Sequence, residues 1–257
     1  MKKCFLTAIT AGVVFLGIQL SGCEKKTDDI VSDPVEAFLP MQTGKYVIYL
    51  LDSTRFVNFG QKDTTVTYFA KDTVEGPATD NLGRAGWRVV RYLRDTASGH
   101  EADWNAVLTY QVIPGQQKIE VKEGNFRYIK LAIPVKDGFS WRGNGYIPSN
   151  PYGELFEFSN DEDIQTWDYT YQDVGVAAQF GNKNYDSTIT VVQIADSTNL
   201  PLETGIPASK TYWVEKYAKN IGLVYKEVEI WEYQPPTTTS AAYKQGFGLK
   251  MTIVDHN

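Results

Sequence analysis

From Met41 to the C-terminus, apolar residues recur at every second position rather than every third or fourth, and this period limits the fold more than any other feature. Gln117-Lys118-Ile119-Glu120-Val121-Lys122 sets Ile119 and Val121 on one side and its charges on the other, the pattern of a half-buried strand. Arg88, Val90, Tyr92 and Arg94 interleave in the same way with Trp87, Val89, Arg91 and Leu93. Further strands are expected at Lys45–Leu51, Thr64–Phe69, Val107–Ile113, Phe126–Ile133, Gln165–Tyr171, Thr188–Ile194, Thr211–Tyr217, Leu223–Trp231 and Gly248–Val254. All are rich in β-branched and aromatic residues, with Gly, Asn, Asp or Pro in the gaps. Gly124-Asn125 fits a tight hairpin. Pro134–Glu162 and Gln234–Ser240 hold too many breakers for central strands and are expected to be loops. No segment carries a helical stripe over three turns. The expectation is an all-β, antiparallel single domain over residues 38–257, either a β-sandwich or a half-open barrel.

The N-terminus follows different rules. Lys2 and Lys3 precede an apolar run from Phe5 to Leu20, then Leu20-Ser21-Gly22-Cys23. This is the layout of a secretory signal, and the cysteine after two small residues makes it a lipoprotein signal. The run is about 16 residues, short of the roughly 20 that cross a bilayer. Residues 1–22 are therefore read as signal peptide and Cys23 as the lipidation site. Three acyl chains there would anchor the protein far more firmly than one. Cys4 would leave with the signal and Cys23 would carry lipid, so the mature chain would fold without a disulfide. Residues 23–37 read as lipidated cysteine plus a flexible polar tether. Glu24–Ala37 could extend about 45–50 Å at roughly 3.3–3.6 Å per residue.

The net charge of −6 argues against nucleic acid and against a body lying flat on anionic lipid. Glu rather than Asp follows Cys23, so the usual inner-membrane retention signal is absent. The expected place is the outer membrane or cell surface.

A resemblance covers most of the mature chain. Phe38-Leu39-Pro40-Met41 with Gly44 and Tyr46-Val47-Ile48-Tyr49 resembles the first strand of uncharacterised Bacteroidetes outer-membrane lipoproteins. So do Tyr128-Ile129-Lys130-Leu131, Trp141-Arg142-Gly143-Asn144-Gly145-Tyr146 and, most clearly, Tyr217-Ala218-Lys219-Asn220-Ile221-Gly222-Leu223-Val224-Tyr225-Lys226. Lys25-Lys26-Thr27-Asp28-Asp29 is similar to the charged surface-export signals of such proteins. The resemblance implies an envelope location and a β body, and no activity. Asn220 stands where the family pattern implies glycine, and Asn also tolerates positive φ.

Six triads of Asp, then Ser or Thr, then a small apolar residue or Thr resemble the O-glycosylation acceptors of exported Bacteroidetes proteins. They place candidate acceptors at Ser53, Thr64, Thr73, Thr96, Ser187 and Ser197, where composition alone predicts roughly one match. Asp-Ser and Asp-Thr are also common turn chemistry. Turns are where a bulky surface glycan fits.

Catalytic sets are sparse. The two histidines, His100 and His256, have no second imidazole or cysteine nearby, against the usual zinc spacings and a Ser-His-Asp triad. His256, one residue from the end, is expected to be disordered. Asp161-Glu162-Asp163 could serve Ca²⁺ or a carboxylate-based glycosidase, although a solvated loop accounts for them more simply. No cofactor or metal is expected.

Aromatic residues give a stronger binding argument, with 6 Trp, 16 Tyr and 12 Phe. Trp141, Arg142, Asn144 and Tyr146 combine ring faces with hydrogen-bonding groups, a set suited to glycans or peptides. The simpler reading of Trp141 is a core filler. The expected function is a non-enzymatic binding or assembly module, anchored in the membrane by lipid, with a glycan, peptide or envelope protein as partner. A half-barrel carrier of an acyl chain or other apolar ligand is the alternative, and a carboxylate-based glycosidase ranks third.

Overall fold

The computed structural model of the protein describes residues 32–100 and 103–257. Cys23, the signal segment and the first part of the expected tether lie outside the described residues. The unit Ser32–Asn257 is built on one antiparallel sheet. Its strands are β1 (Tyr46–Val57), β2 (Lys62–Thr79), β3 (Ala85–Asp95), β4 (Asn105–Pro114), β5 (Lys118–Glu123), β6 (Phe126–Ala132), β7 (Ser140–Arg142), β8 (Asp168–Phe180), β9 (Lys183–Thr198), β10 (Ala208–Ala218), β11 (Gly222–Gln234) and β12 (Tyr243–His256).

The order across the sheet is β6-β5-β4-β3-β2-β1-β12-β11-β10-β9-β8-β7. Two meanders therefore meet where β12 returns to pair with β1. The sheet is all-β and antiparallel as expected, and it curls until it nearly closes into a barrel. Of the two architectures the sequence leaves open, one curled sheet matches the half-open barrel.

The two edge strands are not left bare, which would leave a row of unpaired backbone groups. The Ile129 N–H on β6 donates to the Gly143 carbonyl just after β7 at 2.8 Å. The Trp141 indole N–H returns to the Ile129 carbonyl, also at 2.8 Å. One strand further in, the Tyr171 hydroxyl donates to the Ala132 carbonyl at 2.9 Å and accepts from the Ala132 N–H at 3.0 Å. Gly143 is glycine for a local reason, since a Cβ there would strike the Tyr169 ring.

Alternation along each strand sends one set of residues inward. Tyr49, Leu51, Ala70, Met251 and Ile253 are buried together. Val74, Val89, Val112, Val121, Ile189 and Val191 form a second group with Tyr169, Tyr171 and Tyr217. The Gly124-Asn125 hairpin is present between β5 and β6, with Gly124 at φ 59°. Asn220 adopts φ 65° in the turn before β11, so it does take the conformation that a glycine would supply.

Several expectations are corrected. The packed body begins before residue 38, because Val35 and Phe38, in a 3-10 turn over Val35–Phe38, are 0% and 1% exposed. The Asn220 N–H donates to the Ala37 carbonyl at 2.6 Å, and Lys219 pairs with Asp33 at 2.6 Å. From Ser32 onward, the expected tether is part of the body. His256 is the last residue of β12 rather than a disordered end, because β12 lies between β1 and β11. Gln165 falls in a 3-10 turn, Ile164–Thr166, and β8 starts at Asp168. The loop expected at Pro134–Glu162 contains the three-residue β7, too short to show a period.

Candidate functional site in the barrel interior

Charged residues at inward positions set the chemistry of the interior. Asp72 on β2 and Arg91 on β3 are direct cross-strand partners, as are Glu215 on β10 and Lys226 on β11. Directly opposed residues of an antiparallel pair have Cβ atoms within roughly 5.5 Å, so sheet register alone brings each pair together. Arg91 grips Asp72 with two hydrogen bonds of 2.7 Å, and the Tyr110 hydroxyl donates to the same carboxylate at 3.0 Å.

Glu215 is 1% exposed and gathers donors from three directions. Lys130 reaches it from β6 at 2.7 Å, a contact between strands that are not neighbours in the sheet. The Tyr217 hydroxyl donates at 2.6 Å and the Trp213 indole N–H at 3.4 Å. Lys226 stands at 3.6 Å. Burial raises the Glu215 pKa, but the ammoniums of Lys130 and Lys226 outweigh it and bring the carboxyl down to about 2. Burial lowers the Lys130 pKa against the pull of Glu215. Burial pushes the Tyr49, Tyr110 and Tyr217 hydroxyls well above their ordinary value, so they remain neutral donors.

Apart from Trp213, these groups line a cavity of about 80 Å³. Val47, Val74, Val89, Val112 and Val121 supply its apolar wall, and Leu39, Pro40 and Met41, from the segment before β1, also line it. The arrangement can hold a small molecule with an apolar body and a polar end. Among the described residues, no group of three His, Cys, Asp or Glu side chains is placed to hold a metal.

The residues singled out in the sequence go elsewhere. Trp141 packs on Tyr171, Tyr169 and Phe139, with ring centroids 4.5, 5.7 and 6.1 Å away, and belongs to the barrel seam. Asn144 is fully buried and accepts from the Tyr169 hydroxyl at 2.5 Å. Arg142 pairs with Asp168 on the surface, and Tyr146 is 55% exposed beneath Lys118 and Arg127. The four therefore do not share one exposed face, since two are held inside and two point to solvent.

Asp161 is buried and accepts from the Tyr152 N–H at 2.9 Å, whereas Glu162 and Asp163 are exposed. Burial raises the Asp161 pKa. Asp161 and Glu162 thus do not share one exposed face. Of the candidate acceptors, only Thr96 lies in a turn; Ser53, Thr64, Thr73, Ser187 and Ser197 are in strands. Thr96 and Ser197 are exposed, and the Thr73 hydroxyl is buried without a hydrogen-bond partner.

Local spacing does not single out the interior site, although the sequence carries a signal for it. Glu215 has the same strand parity as Trp213 and Tyr217, and Lys130 has that of Tyr128. A charge at an inward position marks a buried ionic site once the inward face is known.

No protein-family model matches the chain, and no curated protein matches it. Among solved structures, a proposed outer membrane lipoprotein-sorting protein domain from Vibrio parahaemolyticus aligns over 83% of this chain and 85% of its own. Identity is 11% and the TM-score is 0.20, a likeness too slight to bear on fold or function.

Proposed function

We propose that this protein is a lipid-anchored, non-enzymatic binding module of the outer membrane or cell surface whose barrel interior takes a small ligand. The observation that carries this reading is the cavity itself: ionic groups and apolar side chains line one space inside the barrel. The signal layout ending in Cys23 supports the anchor and the location.

The acyl-carrier alternative is favoured by the nearly closed barrel but meets a limit of size. The cavity of about 80 Å³ is well under the roughly 300–1,000 Å³ of ordinary ligand pockets. A long acyl chain would require the cavity to enlarge. Native mass spectrometry of the full lipidated protein, released gently from detergent, tests both readings. A small co-purifying species supports the binding module, and a long-chain lipid beyond the covalent anchor supports the carrier. A protein that holds neither, and that retains no component of an envelope metabolite extract, would overturn the interior-binding reading.

A further inference from the structure

The charges on the cavity wall are unequal, and the excess is positive. Lys45, Arg91, Lys130 and Lys226 face Asp72, Glu123 and Glu215. Arg91 is committed to Asp72 through both hydrogen bonds, and Lys130 to Glu215. Lys226 is different. It stands 3.6 Å from Glu215, beyond hydrogen-bond range, while Lys130, Tyr217 and Trp213 donate to that carboxylate. Its ammonium lies 5.1 Å from the Trp213 ring centroid, and its side chain is only 13% exposed. An ammonium on a mostly buried side chain, with no hydrogen-bond acceptor at normal length among the described residues, gains from an acceptor that a ligand supplies. Lys45, also on the wall, donates to the Asn220 carbonyl at 3.2 Å.

We propose that the cavity binds a small amphipathic carboxylate carrying one negative charge, its head on the Lys226 ammonium and its short aliphatic body against the valine wall beneath Leu39–Met41. This rests on the interior-binding reading above and names the ligand class. One negative charge neutralises the wall, and a carboxylate provides the charge-assisted acceptor that Lys226 lacks. Size sets the length of the body. A cavity of about 80 Å³ is roughly half the ~150 Å³ engineered cavity that admits benzene. A short chain fits; a fused-ring or long-chain lipid does not.

The test uses the full lipidated protein in detergent micelles, with propionate and 1-propanol as probes and protein-free micelles as the blank. Propionate labelled with ¹³C at the carboxyl is followed by NMR. Propionate should bind at least tenfold more tightly than 1-propanol, with a shifted carboxyl resonance. Lys226→Met, which keeps the length of the stem, should remove that preference and leave propanol binding in place. Lys45→Gln should weaken propionate less. Equal binding of the acid and the alcohol by the wild type would overturn the carboxylate assignment while leaving the interior site standing. Binding of neither probe would overturn both. An undiminished preference in Lys226→Met would overturn the role of Lys226. The wild-type ratio alone keeps the proposal open to refutation should the variant fail to fold.

Discussion

Glu215 concentrates the energetics of the barrel interior into one side chain. Replacing it with Gln keeps its shape but leaves Lys130 and Lys226 buried beside a neutral amide. Breaking a buried ion pair from one side costs about 3–5 kcal/mol, so Glu215→Gln should lose that much stability in urea denaturation at pH 7. The pH dependence has a definite sign. The folded carboxyl titrates near 2, below its ordinary value of 4.5, so the folded state binds fewer protons in that window. Its contribution is complete above about pH 4.5 and is lost as pH falls from there towards 2. The wild type should therefore weaken across that window more steeply than Glu215→Gln, and coincident acid-denaturation curves would show that the site contributes nothing. Sequence patterning did not expose this residue, because Val214-Glu215-Lys216 reads as an ordinary charged stretch until Trp213 and Tyr217 are known to face inward. Trp141 is the opposite case, since its packing was one of two readings already available. What placed it was the seam partner, the Ile129 carbonyl, and no local spacing encodes a contact across the gap between two edge strands.

The strand elements themselves were legible wherever alternation ran longer than about five residues. β5 and its Gly124-Asn125 turn were readable almost to the residue, since a two-residue hairpin fixes both strand ends. β7 was not, because three residues inside a glycine- and proline-rich segment carry no period. Alternation alone also marks strand ends too short: β2 runs to Thr79 through Gly76-Pro77, where a bulge after Val74 absorbs residues that look like breakers. Asn220 tests the turn chemistry of the element pair β10–β11. At φ 65°, alanine would have a Cβ in a region that costs about 1–2 kcal/mol for most L-residues, whereas glycine has none. Asn220→Ala should lower stability by at least about 1 kcal/mol and Asn220→Gly should not, as read by thermal unfolding of the two variants side by side. Equal losses would show that the Asn220 side chain, rather than its backbone, holds the turn. The 3-10 turn ahead of β1 carries a larger stake. Phe38 is 1% exposed and lies in the same core as Tyr169, Tyr171 and Tyr217. Phe38→Ala should therefore cost about 3–5 kcal/mol, measured as a drop in the urea midpoint at unchanged slope. A loss under 1 kcal/mol would mean that this turn rests on the barrel without being part of its core.

At the scale of the whole molecule, burial of Val35 and Phe38 shortens the stretch that is left to serve as a tether. The packed unit begins by Ser32, so if Cys23 carries lipid, fewer residues would separate membrane and barrel than the polar composition of 24–37 suggests. Composition misled here because Val35, Ala37 and Phe38 are sparse among acidic neighbours, yet a few apolar residues suffice when a barrel end is there to receive them. The anchor itself is testable apart from the body. If Cys23 is the lipidation site, its thiol is both the acceptor of the diacylglyceryl group and the mark for the signal peptidase. Cys23→Ser should then leave an uncleaved precursor held by residues 5–20, or release unlipidated protein, while the body keeps its fold because its packed residues begin at Ser32. The wild type should partition into detergent in phase separation, and its N-terminal peptide should begin at Cys23 with the added mass of three acyl chains. The melting transition of the body should be the same in wild type and Cys23→Ser. A mature wild-type protein that starts elsewhere, or stays in the aqueous phase, would remove the membrane from the functional reading. The interior site would still stand, since no residue that lines it belongs to the anchor.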